Sequence, residues 1–440
     1  MKRVFDWLPF TFQPHVLVLC LVFPVLAACG GGGGGDDGIP QTMTLTAYAV
    51  TPSEVRVEWT AHPGVIIGYD LYRDGASAYP YHLDGTGITD WELTPATRYC
   101  YLVYAVSFLG VEGQSNQACV TTPSLAGWNI ETVGAGDSPG LALDAANQRH
   151  VSYRSTGGIM LAVKTGAWQY SVVDANAGGF GDTDVQVDRN SANHLSYWDY
   201  TNARLMAATD ATGVWISELV DNGGNVNALA LDGAGNAHLL YNIHEDGTIN
   251  YATNASGAWV SQWLAGFSSG TIYDTDILVD NGGVVHALFA IGSPQACYVY
   301  YLTNPGGVWS DQVIASDTNC GAALARASTG ALHVAYSTRF GLTHAFFTGG
   351  AWQSEQLDSF SWIGGDRVAL AIDSDNHLHI AYSDQNLALK YAGNSSGSWE
   401  LAYVDGGGSY DPYIVVDPLG RVSIAYADET RGTVKLATSP

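Results

Sequence analysis

Basic side chains are scarce in this chain of 440 residues: 17 Lys and Arg stand against 42 Asp and Glu, for a formal net charge of −25. Binding a phosphate backbone needs a surplus of Lys and Arg, so nucleic acid is excluded as a partner. A long apolar run is also missing near the N-terminus. Val16 to Leu26, which follows Pro14, is shorter than the roughly 20 residues that cross a bilayer as a helix. No P-loop, dinucleotide fingerprint or Ser-His-Asp spacing is visible. The six consecutive glycines Gly30 to Gly35 have no strand before them and no helix after them, so they are a flexible tether rather than a phosphate cradle. Charged residues make up only 13% of the chain, whereas 47% is hydrophobic and there are 52 Gly and 25 Tyr, a balance that favours many short strands, tight turns and a large core. An all-β protein is expected.

What is present is a repeat. Trp128, Trp168, Trp215, Trp259, Trp309, Trp352 and Trp399 recur every 40 to 50 residues, the length of one four-stranded propeller blade. Each copy offers an inner strand such as Asn227-Ala228-Leu229-Ala230-Leu231, a second such as His238-Leu239-Leu240-Tyr241, a third such as Ile249-Asn250-Tyr251-Ala252, and a fourth opened by Trp. The inner strands end at Asp144, Asp188, Asp232, Asp280, Ala327, Asp373 and Asp417, which counts seven copies over residues 124–440. The region starts with a lone Trp128 strand and stops after the third strand of the last copy. Closure therefore puts the Trp128 strand outermost in the seventh blade and leaves no open edge.

Two further stretches carry family resemblances. Met1-Lys2-Arg3, the apolar run and Leu26-Ala27-Ala28-Cys29 resemble the lipobox of bacterial lipoproteins. The resemblance implies a signal peptide over residues 1–28, lipid on Cys29, a tether over residues 29–39 and a membrane anchor without a transmembrane helix in the mature protein. Gly30, where Asp would signal inner-membrane retention, implies the outer membrane and allows the cell surface. In residues 40–123, Val55-x-Val57-x-Trp59, the stretch Tyr69-Asp70-Leu71-Tyr72-Arg73-Asp74-Gly75 and Leu93-x-Pro95-x-Thr97-x-Tyr99 resemble a fibronectin type III domain, the last with its tyrosine corner. That resemblance implies a two-sheet sandwich acting as spacer or adhesive module.

Cys20 falls in the leader and Cys29 is the lipid site, so Cys100, Cys119, Cys297 and Cys320 remain, an even number that points to two disulfides in an exported chain. Cys100 and Cys119 flank a turn near Leu109-Gly110 and should face each other in a hairpin. That leaves Cys297 with Cys320.

The residues shared by all copies read as scaffold. His150, His194, His238, His286, His333 and His379 sit one per blade, so they cannot converge on one metal at about 2 Å, and a structural bond to the neighbouring turn is expected. Function is expected where the copies differ. Strand alternation puts the second-to-third and blade-to-blade connections on one variable face, which collects Asp182, Asp184, Trp198, Tyr200, Tyr273, Asp274, Asp276, Trp362, Asp366, Tyr410 and Asp411 as candidate ligand-binding residues. Aromatic platforms beside carboxylates suit a glycan, and the same set would serve a protein partner. Calcium is the one cofactor these oxygens would suit, with Asp182-Thr183-Asp184 and Asp274-Thr275-Asp276 as its best sites, against ordinary turn capping by Asp. No catalytic residue is identifiable. A binding role is favoured over catalysis, the alternative being an exported glycoside hydrolase or polysaccharide lyase with a carboxylate pair on the same face. A sialidase Ser-x-Asp-x-Gly-x-Thr-Trp box is absent. A monomer is expected.

Overall fold

The structure is a computed structural model that describes residues 39–52, 54–91, 93–123, 127–179, 181–243, 247–267, 270–293, 296–359, 368–384, 387–406, 408–428 and 430–440. Cys29 with its leader, and Trp362 and Asp366, lie outside the described residues. Every long element among the described residues is a strand, and no helix there is long and apolar enough to cross a membrane.

The N-terminal unit packs two sheets face to face. One joins Leu45–Thr51, Glu54–Trp59 and Gly87–Asp90, and the other is built on Gly68–Arg73, Arg98–Ser107 and Gly110–Ser115. Alternation along Glu54–Trp59 turns Val55, Val57 and Trp59 inward, where they meet Tyr69, Leu71, Tyr101 and Val103 of the facing sheet. The Trp59 and Tyr69 rings meet edge to face at 5.5 Å. At the corner before the long strand, the Thr94 N–H donates to the Tyr99 hydroxyl at 2.8 Å.

Cys100 and Cys119 are bonded across a cross-strand pair in this unit. The route differs from the sequence expectation. The hairpin strand Gly110–Ser115 pairs with the far half of Arg98–Ser107, and Cys119 lies on a separate strand, Ala118–Thr121, paired with the near half. The chain leaves the hairpin at Asn116 and Gln117, so the disulfide ties a third segment to the long strand.

The rest of the chain forms sheets whose strands follow in sequence order. Four of them span residues 137–174, 183–221, 227–266 and 368–405, each with four strands. A fifth joins Ser409–Val416, Val422–Asp428 and Thr433–Thr438 to Asn129–Ala135, which pairs antiparallel with the final strand. The strand after Trp128 thus closes the ring and caps an edge that would otherwise offer a row of unpaired N–H and C=O groups. Residues 271–356 form a single seven-stranded sheet, because Ser310–Arg326 runs without a break from the outer edge of one four-stranded set to the inner edge of the next. Positive φ at Asp317 (59°) and Cys320 (68°) and a register shift between Thr318 and Ala322 bend this strand, and the Cys297–Cys320 disulfide pins the bend.

The innermost strands Asp137–Leu143, Thr183–Val187, Asn227–Leu231, Thr271–Val279, the end of Ser310–Arg326, Val368–Ile372 and Ser409–Val416 each touch the next, and the last returns to the first. They enclose a central channel of about 280 Å³. Between neighbouring sheets the apolar residues interdigitate, as with Val226, Ala228, Leu240 and Ile249 against Ile277, Ala287 and Phe289. Burying each large aliphatic or aromatic side chain there contributes roughly 1.5–3 kcal/mol.

Candidate functional site

At the first-to-second turns the same bonds recur around the ring. One carboxylate oxygen of Asp144, Asp188, Asp232, Asp280, Asp373 and Asp417 accepts the backbone N–H groups two and four residues further on, at 2.8 to 3.0 Å. The other oxygen of the first five lies 3.4 to 3.6 Å from Nε2 of His150, His194, His238, His286 and His379. Of these contacts the one from His379 to Asp373 is a hydrogen bond, at 3.4 Å, and burial holds His238, His286 and His379 below the usual histidine range. Where the turn residue is Ala327, the arrangement changes: His333 bonds His344 at 3.0 Å, and His344 bonds Glu355 at 3.0 Å. Burial and the neighbouring His344 push His333 down to about 4.

In four copies the aromatic of the second strand seals a seam. Tyr197, Tyr241, Tyr382 and Tyr426 donate to Asp174, Asp221, Asp358 and Asp405 at the end of the preceding outermost strand, at 2.5 to 2.8 Å. In the copy with Phe289 there is no hydroxyl, and the ring packs on Phe267 and Tyr300 instead. Outer tryptophans also bridge blades: the indole N–H of Trp259 and that of Trp399 each reach a glutamate of the sheet before, Glu218 and Glu355, at 3.1 Å.

The candidate residues of the variable face divide into two groups. Asp184, Asp274 and Asp276 line the channel, and each spends one oxygen on the next N–H of its own strand and the other on the neighbouring inner strand, at Leu229, Ala322 and Leu324, over 2.7 to 3.0 Å. They staple adjacent blades, where the sequence offered turn capping or a ligand role. Among the described residues no group of three or more His, Cys, Asp or Glu is arranged to hold a metal ion. Asp182 is buried, and its backbone is tied to Asn225 and Trp198. Trp198, expected as a platform, is only 5% exposed and packs over Gly181, so it is core.

Tyr200 and Tyr273 are exposed, at 58% and 45%. Tyr200 lies on the backbone of Gly179, where a Cβ would fall 2.3 Å from the ring. Tyr273 and both disulfide sulfurs crowd Gly292, where a Cβ would meet Cys297 Sγ at 2.3 Å, so only glycine fits there. Tyr410 and Asp411 are half-buried on the same side. The Cys297–Cys320 bridge braces this region.

Three residues that no expectation named stand out. Arg154 is 4% exposed and lines a cleft of about 600 Å³ between the first and last sheets. Glu54 of the N-terminal unit is 5% exposed, and its carboxyl is pushed up to about 7, first by burial and then by the charge of Asp384, itself 4% exposed. Nearby, the Tyr403 hydroxyl donates to the Val50 carbonyl at 2.8 Å. The unit expected as a spacer therefore rests against the loop side of residues 368–405. The position after His-x-x-Tyr did carry a readable signal: it is Arg154 in the first copy and Trp198, Asn242, Ala290, Ser337, Ser383 and Ala427 in the others. Nothing in the sequence pairs Glu54 with Asp384, 330 residues apart.

No protein-family model matches this chain, and neither does any curated protein. Solved structures do match. A catalytically inactive virginiamycin B lyase from Staphylococcus aureus is 10% identical, over 71% of this chain and 99% of its own, with a TM-score of 0.50. The polysaccharide lyase Uly1 is 10% identical over 69% and 90%, with a TM-score of 0.48. A lectin of Aleuria aurantia, in complex with Fucalpha1-6GlcNAc, is 16% identical over 63% and 98%, with a TM-score of 0.46. The likeness is one of fold: an all-β, propeller-like ring of four-stranded sheets.

Proposed function

We propose that this chain is a lipid-anchored binding protein of the bacterial outer membrane, in which a fibronectin type III domain carries a seven-bladed β-propeller that holds a glycan on its variable loop face. The observation that carries the reading is the contrast between faces. On the turn face the repeated Asp carboxylates are spent on the scaffold, whereas the loop face exposes the ring of Tyr200 beside an open cleft and that of Tyr273 further round the ring. Exposed rings present flat apolar surfaces to sugar C–H groups, and carboxylates take sugar hydroxyls.

The blade count is seven when residues 271–356 are taken as two blades sharing the strand Ser310–Arg326. The Tyr99 bond to Thr94 and the two packed sheets support the fibronectin type III assignment. The anchor rests on Leu26-Ala27-Ala28-Cys29. A glycosidase or lyase finds little support in Asp184, Asp274 and Asp276, whose carboxylates hold neighbouring strands together.

The test is binding of the mature protein to a glycan array, alongside Tyr200→Ala and Tyr273→Ala. We expect glycan binding that falls at least tenfold in one of the two. Parent-like binding in both variants would overturn the face assignment, and binding of a protein but no glycan would replace the ligand class. Maturation that is insensitive to globomycin would remove the lipid anchor.

A further inference from the structure

Arg154 is a buried cation, and among the described residues two of its three guanidinium nitrogens have no partner. It closes the strand Arg149–Ser155, and its Nη1 donates to the Gly179 carbonyl. Nε and Nη2 have no hydrogen-bond partner among the described residues. These two N–H groups point the same way from one edge of the planar guanidinium, the edge that accepts two oxygens side by side. A charged side chain left so in the interior is costly, and natural proteins keep one where a ligand completes it.

The surroundings define that ligand. Asp137 stands directly opposite Arg154 in the strand register, is exposed, and lines the same cleft with Ser155, Thr156 and Asp428. The charges of Asp137, Asp182 and Asp411 all act on Arg154. With Asp428 paired to Lys435 and Arg431, four anions stand against three cations around the cleft, so a carboxylate, sulfate or phosphate would enter against net repulsion. The missing partner must supply two adjacent acceptor oxygens without charge, together with O–H donors for the carboxylates. Neighbouring hydroxyls of a sugar ring do both.

We propose that the cleft between the first and last blades is a subsite for a neutral sugar, with a vicinal pair of hydroxyls on the Nε and Nη2 edge of Arg154 and a donated hydroxyl on Asp137. The site occurs once, because no other copy has an arginine at this position. It lies where the strand Asn129–Ala135 closes the ring, so the ends of the repeat region form it together. This proposal rests on the glycan-binding reading above.

The experiment measures binding of the mature protein to neutral oligosaccharides rich in vicinal diols and to matched uronate and sulfated oligosaccharides. It uses wild type, Arg154→Lys, which keeps the charge and loses the forked edge, and Asp137→Asn, an exposed change expected to leave the melting temperature unaltered. The expected result is binding of neutral sugars that falls at least tenfold in Arg154→Lys and several-fold in Asp137→Asn. Neutral-sugar binding unchanged in Asp137→Asn and in a folded Arg154→Lys would overturn the subsite and leave the glycan reading standing. Arg154-dependent binding of uronates or sulfated chains alone would overturn the charge argument. Binding of no glycan by wild type would remove the glycan reading and this subsite with it.

Discussion

The two ends of the blades follow opposite rules. At the turn end, six aspartates repeat one hydrogen-bond pattern and five histidines sit behind them, so most copies repeat the same solution. At the loop end the copies diverge: an arginine, a tryptophan, an asparagine, two alanines and two serines occupy one position. A ring of copies must solve the same packing problem at every blade, so what recurs is structural. A ligand needs one site, so chemistry that occurs once is the better guide to binding.

This contrast can be broken by mutation. The largest effect should come from Asp232→Ala, which removes the acceptor for the Ala234 and Asn236 N–H groups and the Asn236 amide. Its loss should cost about 4 kcal/mol, read by denaturant unfolding, with ligand binding in the remaining folded fraction unchanged.

Next comes pH, where two regions should respond with opposite sign. Glu54 is raised from 4.5 to about 7, so the folded chain keeps a proton that the unfolded chain releases. Its contribution is complete below pH 4.5 and is lost as pH rises through about 7, amounting to roughly 3 kcal/mol. His333 is lowered from 6.5 to about 4, so the folded chain refuses a proton that the unfolded chain takes. Its contribution is complete above pH 6.5 and is lost as pH falls through about 4. Glu54→Gln should flatten the loss on the alkaline side and His333→Gln the loss on the acid side, both read in melting curves from pH 4 to 8. A single variant that flattened both would show that the two regions are not separate.

A smaller effect should follow at the seams. Tyr241→Phe, which strips Asp221 of its donor, should cost about 1–2 kcal/mol. Phe289→Tyr should also destabilise, because its new hydroxyl enters an apolar cluster that offers no acid to receive it. The smallest change in stability belongs to the loop face. Tyr200→Ala should move unfolding by less than about 0.5 kcal/mol while weakening binding, and a large loss of stability there would erase the distinction between faces.

Much of the architecture was legible because a period of one blade is written into Trp, His-x-x-Tyr and the turn aspartates, and periodic burial has few solutions. The disulfide pairs were legible from local spacing, although Cys119 reached its partner through a third strand rather than the hairpin. The site was far less legible. Trp198 and Tyr200 stand two residues apart in one segment, yet one is core and the other is surface. Asp274 and Asp276 read as ligands because a one-dimensional chain cannot reveal the Ala322 and Leu324 N–H groups they meet across a blade seam.

What the sequence determined alone is the short-range and periodic content: strand alternation, turn chemistry, the repeat and the cysteine count. Each depends on neighbours within a few tens of residues. Only the tertiary structure decided which polar atoms are spent and which are not. Arg154 opposite Asp137, Glu54 against Asp384, and the aspartate staples of the channel all depend on which blades stand side by side, and ring closure sets that through contacts between segments up to hundreds of residues apart.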